Sequence, residues 1–334
     1  MNDYINGEES QFSPDNSAFV PDSLIMELPF TDLYMAISKQ HSKMPVRFRP
    51  DPTRTQLTGN YIVPKKYQPS MDAIRNLIIS RPEDDGTVQY SGLRLRYSRF
   101  WAAEDMHWAA IRAVPLDLPE LEALGIHPQL LREIQGWGRK RGLVIIGGGT
   151  GNGKTTTAVG LIKYYLQNYG GLAITCEDPV EYQLQGAISD KGYCFQTEIR
   201  NEDDWSTSIR GIMRRRPEYI MIGEVRSPEA AEQLLKAATS GHLVITTIHA
   251  ASAADTIQAI LHLAENKLGP VAKSIIADRL VGILHQTLRM DGPHIDSIIP
   301  IKMNEQQIKG TILNGDIGAL NENHVKPFKP ISHQ

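Results

Sequence analysis

Several absences narrow what this chain can be. Its 334 residues include two cysteines, Cys176 and Cys194, and no paired CxxC motif. A disulfide scaffold and a structural zinc are therefore not expected, and a reducing compartment is the default. No apolar run approaches the roughly 18 to 20 residues that a membrane span requires. The first basic residue is Lys39, so the start lacks the charged region of a secretory signal. Positive charge is not in excess: the formal net charge is −3. A chain without a basic field is a poor candidate for coating nucleic acid, and direct nucleic-acid binding is not expected. Together these absences predict a soluble cytoplasmic protein that reaches a membrane only through partners.

What is present is 41% hydrophobic residues, enough to bury a core, over a length that suits about two domains. Residues 1–24 are polar and acidic, with Pro14 and Pro21, and read as a disordered tail. Residues 25–113 mix signals. Thr31 to Ile37 spaces its apolar residues as a short helix would, and Met71 to Ile79 also reads as a helix. Pro45 to Arg49 and Leu93 to Tyr97 alternate like strands. A small α+β domain fits them. Residues 114–119, with Pro115 and Pro119, form a linker.

From 120 to 334 the rhythm is strand, then helix, repeated. Leu143–Ile146, Leu172–Cys176, Tyr219–Ile222 and Leu243–Thr247 are short apolar strands. Thr155–Tyr169, closed by Gly170-Gly171, and Glu229–Ser240, closed by Gly241, are helices. Continuous apolar strands between helices predict an α/β domain with a mostly parallel sheet covered on both faces.

Gly148-Gly149-Thr150-Gly151-Asn152-Gly153-Lys154-Thr155, with Thr156 next, fits G-x-x-x-x-G-K-[ST] at every fixed position, after a strand and before a helix. Glycines let the backbone curl so that successive N–H groups face phosphate oxygens, and the helix adds its positive end. Lys154 then reaches the β- and γ-phosphates of ATP, and the Thr155 hydroxyl joins the shell of a Mg²⁺ ion. Ile220-Met221-Ile222-Gly223-Glu224 is a strand ending in an acid, with Gly223 where a metal-holding aspartate usually stands. Glu224 reads as the group that orients the attacking water, or as a surface acid paired with Arg226. Glu177 ends the Leu172–Cys176 strand. It faces the Mg²⁺ if that strand lies beside the P-loop strand, and is otherwise part of a solvated acidic loop. His249, at the carboxyl end of its strand, is a γ-phosphate sensor or a satisfied structural residue, and His242 opens the same strand at the opposite edge. Arg210 and Arg214 are four apart and would share a helix face. They suit bidentate phosphate contact from a neighbouring subunit, or belong to a solvated face with Arg215 and Arg216. Arg96, Arg99 and Arg112 form a second set in the first domain.

In order, Gly148–Thr155, Ile174–Tyr182, Ile222–Arg226 and Thr246–Ala250 resemble the Walker A, Asp-box, Walker B and His-box of the type II/type IV secretion ATPase superfamily. The resemblance covers about residues 93–290 and implies a PAS-like amino-terminal domain on a RecA-like P-loop NTPase domain. It also implies nucleotide between the two and a homo-hexameric ring driving inner-membrane secretion or pilus platform proteins. By motif match Lys154 and Thr155 take the phosphate and Mg²⁺ roles, Glu177 the Asp-box role, Glu224 the catalytic glutamate role and His249 the His-box role. Arg210 and Arg214 match the arginine pair before Walker B, and Arg96 and Arg112 the nucleotide-facing arginines of the first domain. The short build without a zinc element resembles PilT-like proteins and the DotB/TraJ-like ATPases of type IVB secretion and conjugation, with the preference given to the latter. The stretch Ala73–Ile78 reads A-I-R-N-L-I, as in retraction ATPases near their carboxyl terminus, but stands in the first domain and takes no role. The competing readings are a RecA-like nucleic-acid translocase and a non-hydrolysing, ATP-gated scaffold.

Overall fold

A computed structural model describes residues 23–41, 43–51, 54–114, 118–199 and 204–330. The acidic tail falls almost wholly outside the described residues, as do Pro115, Leu116 and Asp117 of the linker. The chain divides into two compact units, Met1–Val114 and Pro115–Gln334.

The first unit is an antiparallel sheet backed by one helix. Its strands are β1 (Phe30–Ala36), β2 (Arg47–Pro50), β3 (Tyr61–Ile62), β4 (Asp85–Tyr90), β5 (Leu93–Ala102) and β6 (Met106–Val114), ordered β3-β2-β1-β6-β5-β4. Helix α1 (Gln68–Ile79) turns Met71, Ile74 and Ile78 into a core shared with Leu33, Met35, Leu95, Tyr97 and Ile111. Thr31 to Ile37 is not the helix that its spacing suggested. It forms β1, paired on both sides with β2 and β6. A strand inside a sheet buries residues on both faces, so its apolar pattern loses the alternation that separates strand from helix.

The second unit is a nine-stranded sheet. Helix α2 (Pro128–Gly136) precedes β7 (Gly142–Gly147) and α3 (Lys154–Asn168). Then come β8 (Gly171–Glu177), β9 (Gly186–Ser189), β10 (Gly192–Glu198), α4 (Asp204–Met213), β11 (Tyr219–Ile222), α5 (Pro228–Thr239) and β12 (Leu243–Ile248). Beyond Ala250, where the sequence pattern specifies no single element, the chain adds α6 (Ala253–Leu268), α7 (Val271–Arg279), β13 (Leu280–Arg289), β14 (Gly292–Ile298), α8 (Glu305–Asn314), α9 (Gly318–Asn323) and β15 (Lys326–Phe328). The order is β15-β14-β13-β7-β12-β11-β8-β10-β9. Strands β13, β7, β12, β11, β8 and β10 run parallel, and β14, β15 and β9 add antiparallel edges.

Every residue of β7, β11 and β12 is buried, which is what helices on both faces of a parallel sheet produce. One core packs α4, α5, α6 and α7 against one face, and a second packs α2 and α3 against the other. This is an α/β, RecA-like P-loop architecture. All the loops leaving the carboxyl ends of β7, β8, β11 and β12 emerge at one edge, where such sheets place their ligands.

Candidate nucleotide site

The loop between β7 and α3 is shaped by glycine. Gly148, Gly151 and Gly153 have φ of 146°, 77° and 75°, a region that other residues rarely adopt. At Gly148 a Cβ would also stand 2.3 Å from the Gln286 carbonyl oxygen, so no side chain fits there. The loop delivers the chain into α3 with Gly153 at the N-cap, no side-chain cap and no acid in the first turn. The helices that follow β11 and β12 differ. Ser227 caps α5 and Ser252 caps α6, with Glu229 and Asp255 in their first turns. The first N–H groups of α3 thus lack the side-chain acceptor that the other two helices have, and an anion there would satisfy them.

Lys154 is buried and its Nζ donates to the Gly149 carbonyl at 2.9 Å. Burial pulls its pKa below the ordinary lysine value, opposed by the charges of Glu224 and Glu181. A desolvated ammonium inside a curl of backbone is suited to a polyanion. Thr155, half-buried, follows it. The Thr156 hydroxyl pairs with the Tyr182 hydroxyl at 2.9 Å, which ties the first turn of α3 to the loop after β8.

Glu224 lies just past β11. One carboxylate oxygen is 3.1 Å from His249 Nε2, and the other accepts from Arg226 Nε at 2.9 Å and Nη2 at 2.6 Å. The fold therefore joins Glu224 to His249, a contact that the sequence reading did not specify. It also forms the Arg226 pair of the competing surface reading, so the carboxylate is held from two sides.

Glu177 needs a correction. Its strand β8 is not beside the P-loop strand β7; β12 and β11 stand between them. The reason is the inserted strand β12, which pairs with β7 and pushes β11 and β8 outward. Nor is Glu177 in a solvated loop. It is 2% exposed, and Oε1 accepts from Thr175 Oγ1 at 2.7 Å and Gln196 Nε2 at 2.9 Å. Desolvation raises its pKa, partly offset by those two donors and by the Glu181 backbone N–H. Its Oε2 is buried with no hydrogen-bond partner. An orphaned carboxylate oxygen on the nucleotide edge fits a Mg²⁺ ion or a water bound to one. Among the described residues no three His, Cys, Asp or Glu side chains form a ready-made metal cage. A Mg²⁺ would therefore draw most ligands from phosphate and water. Gly223 packs on the β8 end, where a Cβ would meet the Cys176 carbonyl oxygen at 3.2 Å.

The arginine pair is elsewhere. Helix α4 stops at Met213, so Arg210 and Arg214 do not share a helix face; Arg214 lies in the following turn. A break after Met213 lets the chain turn back into β11 through Pro217. Both arginines line a groove of about 670 Å³ with Arg141, Arg216, Glu218 and His242. His242 is buried, with Nδ1 2.6 Å from the Pro217 carbonyl oxygen. This groove is at the amino edge of the sheet, one strand length, roughly 20 Å at ~3.3 Å per residue, from the P-loop edge. In the first unit Arg96 and Arg112 are cross-strand partners on β5 and β6 and line one cavity of about 290 Å³. Arg112 Nε donates to Asp32 at 2.8 Å. Arg99 instead binds the Ile78 and Arg81 carbonyl oxygens.

Sequence reasoning missed two glutamines. Gln196 holds Glu177, and Gln286 on β13 touches the P-loop itself: its Oε1 accepts from Thr157 and its Nε2 donates to the Asn152 carbonyl. The available signal was polar residues, His285-Gln286-Thr287, closing an otherwise apolar strand at the ligand-bearing edge.

The fold and this loop define a P-loop α/β protein of the RecA-like kind. The chain belongs to the type II/IV secretion system protein family, whose model matches residues 37–314. It is 32% identical over 238 residues to the type IV pilus ATPase PilU of Pseudomonas aeruginosa, covering 68% of this chain and 58% of that protein. It is 31% identical over 181 residues to the type IV pilus retraction ATPase PilT of the same organism, covering 54% and 51%. The chain spans about half to three-fifths of the length of these relatives. Among solved structures, the pilus retraction motor PilT with bound ADP superposes with a TM-score of 0.69 at 25% identity, over 90% of this chain and 89% of that one. The Legionella pneumophila ATPase DotB shares the fold, with a TM-score of 0.69 at 18% identity over 91% and 87%. No helix among the described residues is long and apolar enough to cross a membrane.

Proposed function

We propose that this chain is an ATP-hydrolysing motor that powers a membrane-associated secretion, conjugation or type IV pilus machine, with a type IVB-like system favoured. The observation that carries the reading is a convergence at one sheet edge. A glycine loop, a bare helix end and the buried Lys154 meet the Glu224–His249 pair. The reaction is phosphoryl transfer from ATP to water: the water oxygen bonds to the γ-phosphorus as the bond to the β–γ bridging oxygen breaks. Loop amides and Lys154 stabilise the charge that develops on the phosphate. Glu224 orients the water and takes up its proton, and His249, 3.1 Å away, holds the carboxylate towards it. Thr155 and, through water, Glu177 are the residues that would hold Mg²⁺, which supplies neutralisation of the β- and γ-oxygens.

Arg210 and Arg214 lie too far from their own P-loop to serve it, which supports action on a neighbouring copy and hence a ring, proposed as a homo-hexamer. Arg96 and Arg112 are proposed to approach the nucleotide from the first unit. Docking partners would be inner-membrane platform proteins, giving a cytoplasmic, peripherally associated assembly. The arginine-lined groove also suits a nucleic-acid translocase. That second reading requires strongly salt-dependent single-strand binding that stimulates turnover.

The test is phosphate release with nucleotide affinity measured in parallel. Glu224→Gln is expected to keep ATP affinity and lose about 10²-fold or more in turnover. A loss of binding instead would make Glu224 a metal or structural residue. Binding without phosphate release in the wild-type chain would leave an ATP-gated scaffold.

A further inference from the structure

Resting on the reading of the P-loop as a nucleotide site, we infer that Gln286 is a positioning residue for that site, aiming a backbone amide of the loop at the phosphates. Gln286 is 3% exposed on β13, the strand that pairs with β7 on the side away from β12. Both ends of its amide are engaged and its orientation is fixed by chemistry. The Asn152 carbonyl can only accept, so the nitrogen must face it, at 2.6 Å, and the oxygen faces the Thr157 hydroxyl at 2.8 Å. One side chain thus joins the end of the loop to the second turn of α3. The same strand braces the loop twice more. The Gln286 carbonyl oxygen lies where a Cβ on Gly148 would be, and the Leu288 N–H donates to Asn152 Oδ1 at 3.2 Å.

The consequence follows from peptide geometry. In a trans peptide the C=O and the next N–H point in opposite directions. Pinning the Asn152 carbonyl towards β13 therefore turns the Gly153 N–H away from β13. Gly153 is the N-cap of α3, so this amide belongs to the group that presents positive charge at the helix end. The hydrogen bond to the carbonyl also polarises the peptide and strengthens the N–H as a donor. Without Gln286 the peptide plane is free to rotate, and the amide loses its aim.

The experiment uses a fluorescent ATP analogue with Mg²⁺, titrated into the full chain, with thermal unfolding recorded for each variant. Thr157→Val keeps the Gln286–Asn152 bond and is expected to bind within about two-fold of wild type. Thr157→Val/Gln286→Met removes both buried partners on the helix side, so it should unfold within about 3 °C of wild type. Its dissociation constant should nonetheless rise about ten-fold, the size of one good hydrogen bond. Gln286→Glu, which keeps the acceptor facing Thr157 and replaces the donor facing Asn152, should show a similar loss if the double variant does not fold. Wild-type affinity in the Gln286 variants overturns the inference, as does an equal loss in Thr157→Val alone. Failure of the wild-type chain to bind, or undiminished binding by Lys154→Ala, overturns the nucleotide reading instead.

Discussion

The two edges of the nine-stranded sheet are built from opposite chemistry. At the carboxyl edge Glu224, paired with His249, bears on Lys154 of the glycine loop, and Glu177 ends a strand further along the same edge. At the amino edge four arginines, Arg141, Arg210, Arg214 and Arg216, share a groove with the single acid Glu218, which is itself bonded to the Leu172 N–H. The first edge carries the glycine loop and the buried lysine, and among the described residues Arg226 there is taken up by Glu224. The second has guanidinium groups and no loop. The strands hold these two chemistries at opposite ends of the sheet. In the proposed ring the amino edge of one copy would meet the carboxyl edge of another, which would make catalysis conditional on assembly and on closure.

The largest expected effect tests the carboxyl edge. Lys154→Ala should reduce phosphate release by about 10³-fold and weaken nucleotide binding. Wild-type turnover in that variant would remove the site. A somewhat smaller effect tests the amino edge. Arg210→Ala or Arg214→Ala should lower turnover by about 10²-fold while an isolated chain keeps its nucleotide affinity. Mixing either variant with Lys154→Ala should restore phosphate release, because some interfaces then join an intact loop to intact arginines. No recovery on mixing would place the arginines in a role within their own chain.

The smallest effect concerns Glu177, whose carboxyl is held above its ordinary value of 4.5 by burial. A raised acid contributes stability that is full below 4.5 and is lost as pH rises through its folded value. Glu177→Gln keeps the acceptor for Thr175 and Gln196 but removes the buried charge. Without nucleotide or Mg²⁺, its Tm should exceed the wild-type Tm by a few degrees at neutral pH, on the order of 1 kcal/mol. The variant should also lack the decline above 4.5. An unchanged profile would show that the carboxylate already has a partner.

The legible parts of this fold were those with local causes. Strand β11 was readable to the residue, and β7, β8, β12, α3 and α5 to within one or two, because Gly170 and Gly241 punctuate them and the strands are continuous apolar runs. Lys154, Glu224 and His249 were legible because motif order and the parallel sheet bring strand ends to one edge. What sequence could not supply was lateral order. The placement of β12 next to β7 is a tertiary fact, and with it went the position of Glu177. The misread β1 had the same origin, since burial on both faces erases the period of two. The polar run around Gln286 was visible but its contacts were not: its partners, Thr157 and Asn152, lie 129 and 134 residues away, and no local spacing encodes them.

The glycine angles and the braces from β13 have a thermodynamic consequence. The loop already has its curled shape, with the Lys154 ammonium lodged on the Gly149 carbonyl inside it. A polyphosphate entering such a cradle exchanges one hydrogen-bond acceptor for another and requires a side-chain movement, with no segment to fold. Little ordering entropy is then charged against affinity. Most of the binding free energy then remains for any later movement that nucleotide drives, which in the proposed ring would be the register of one copy against the next.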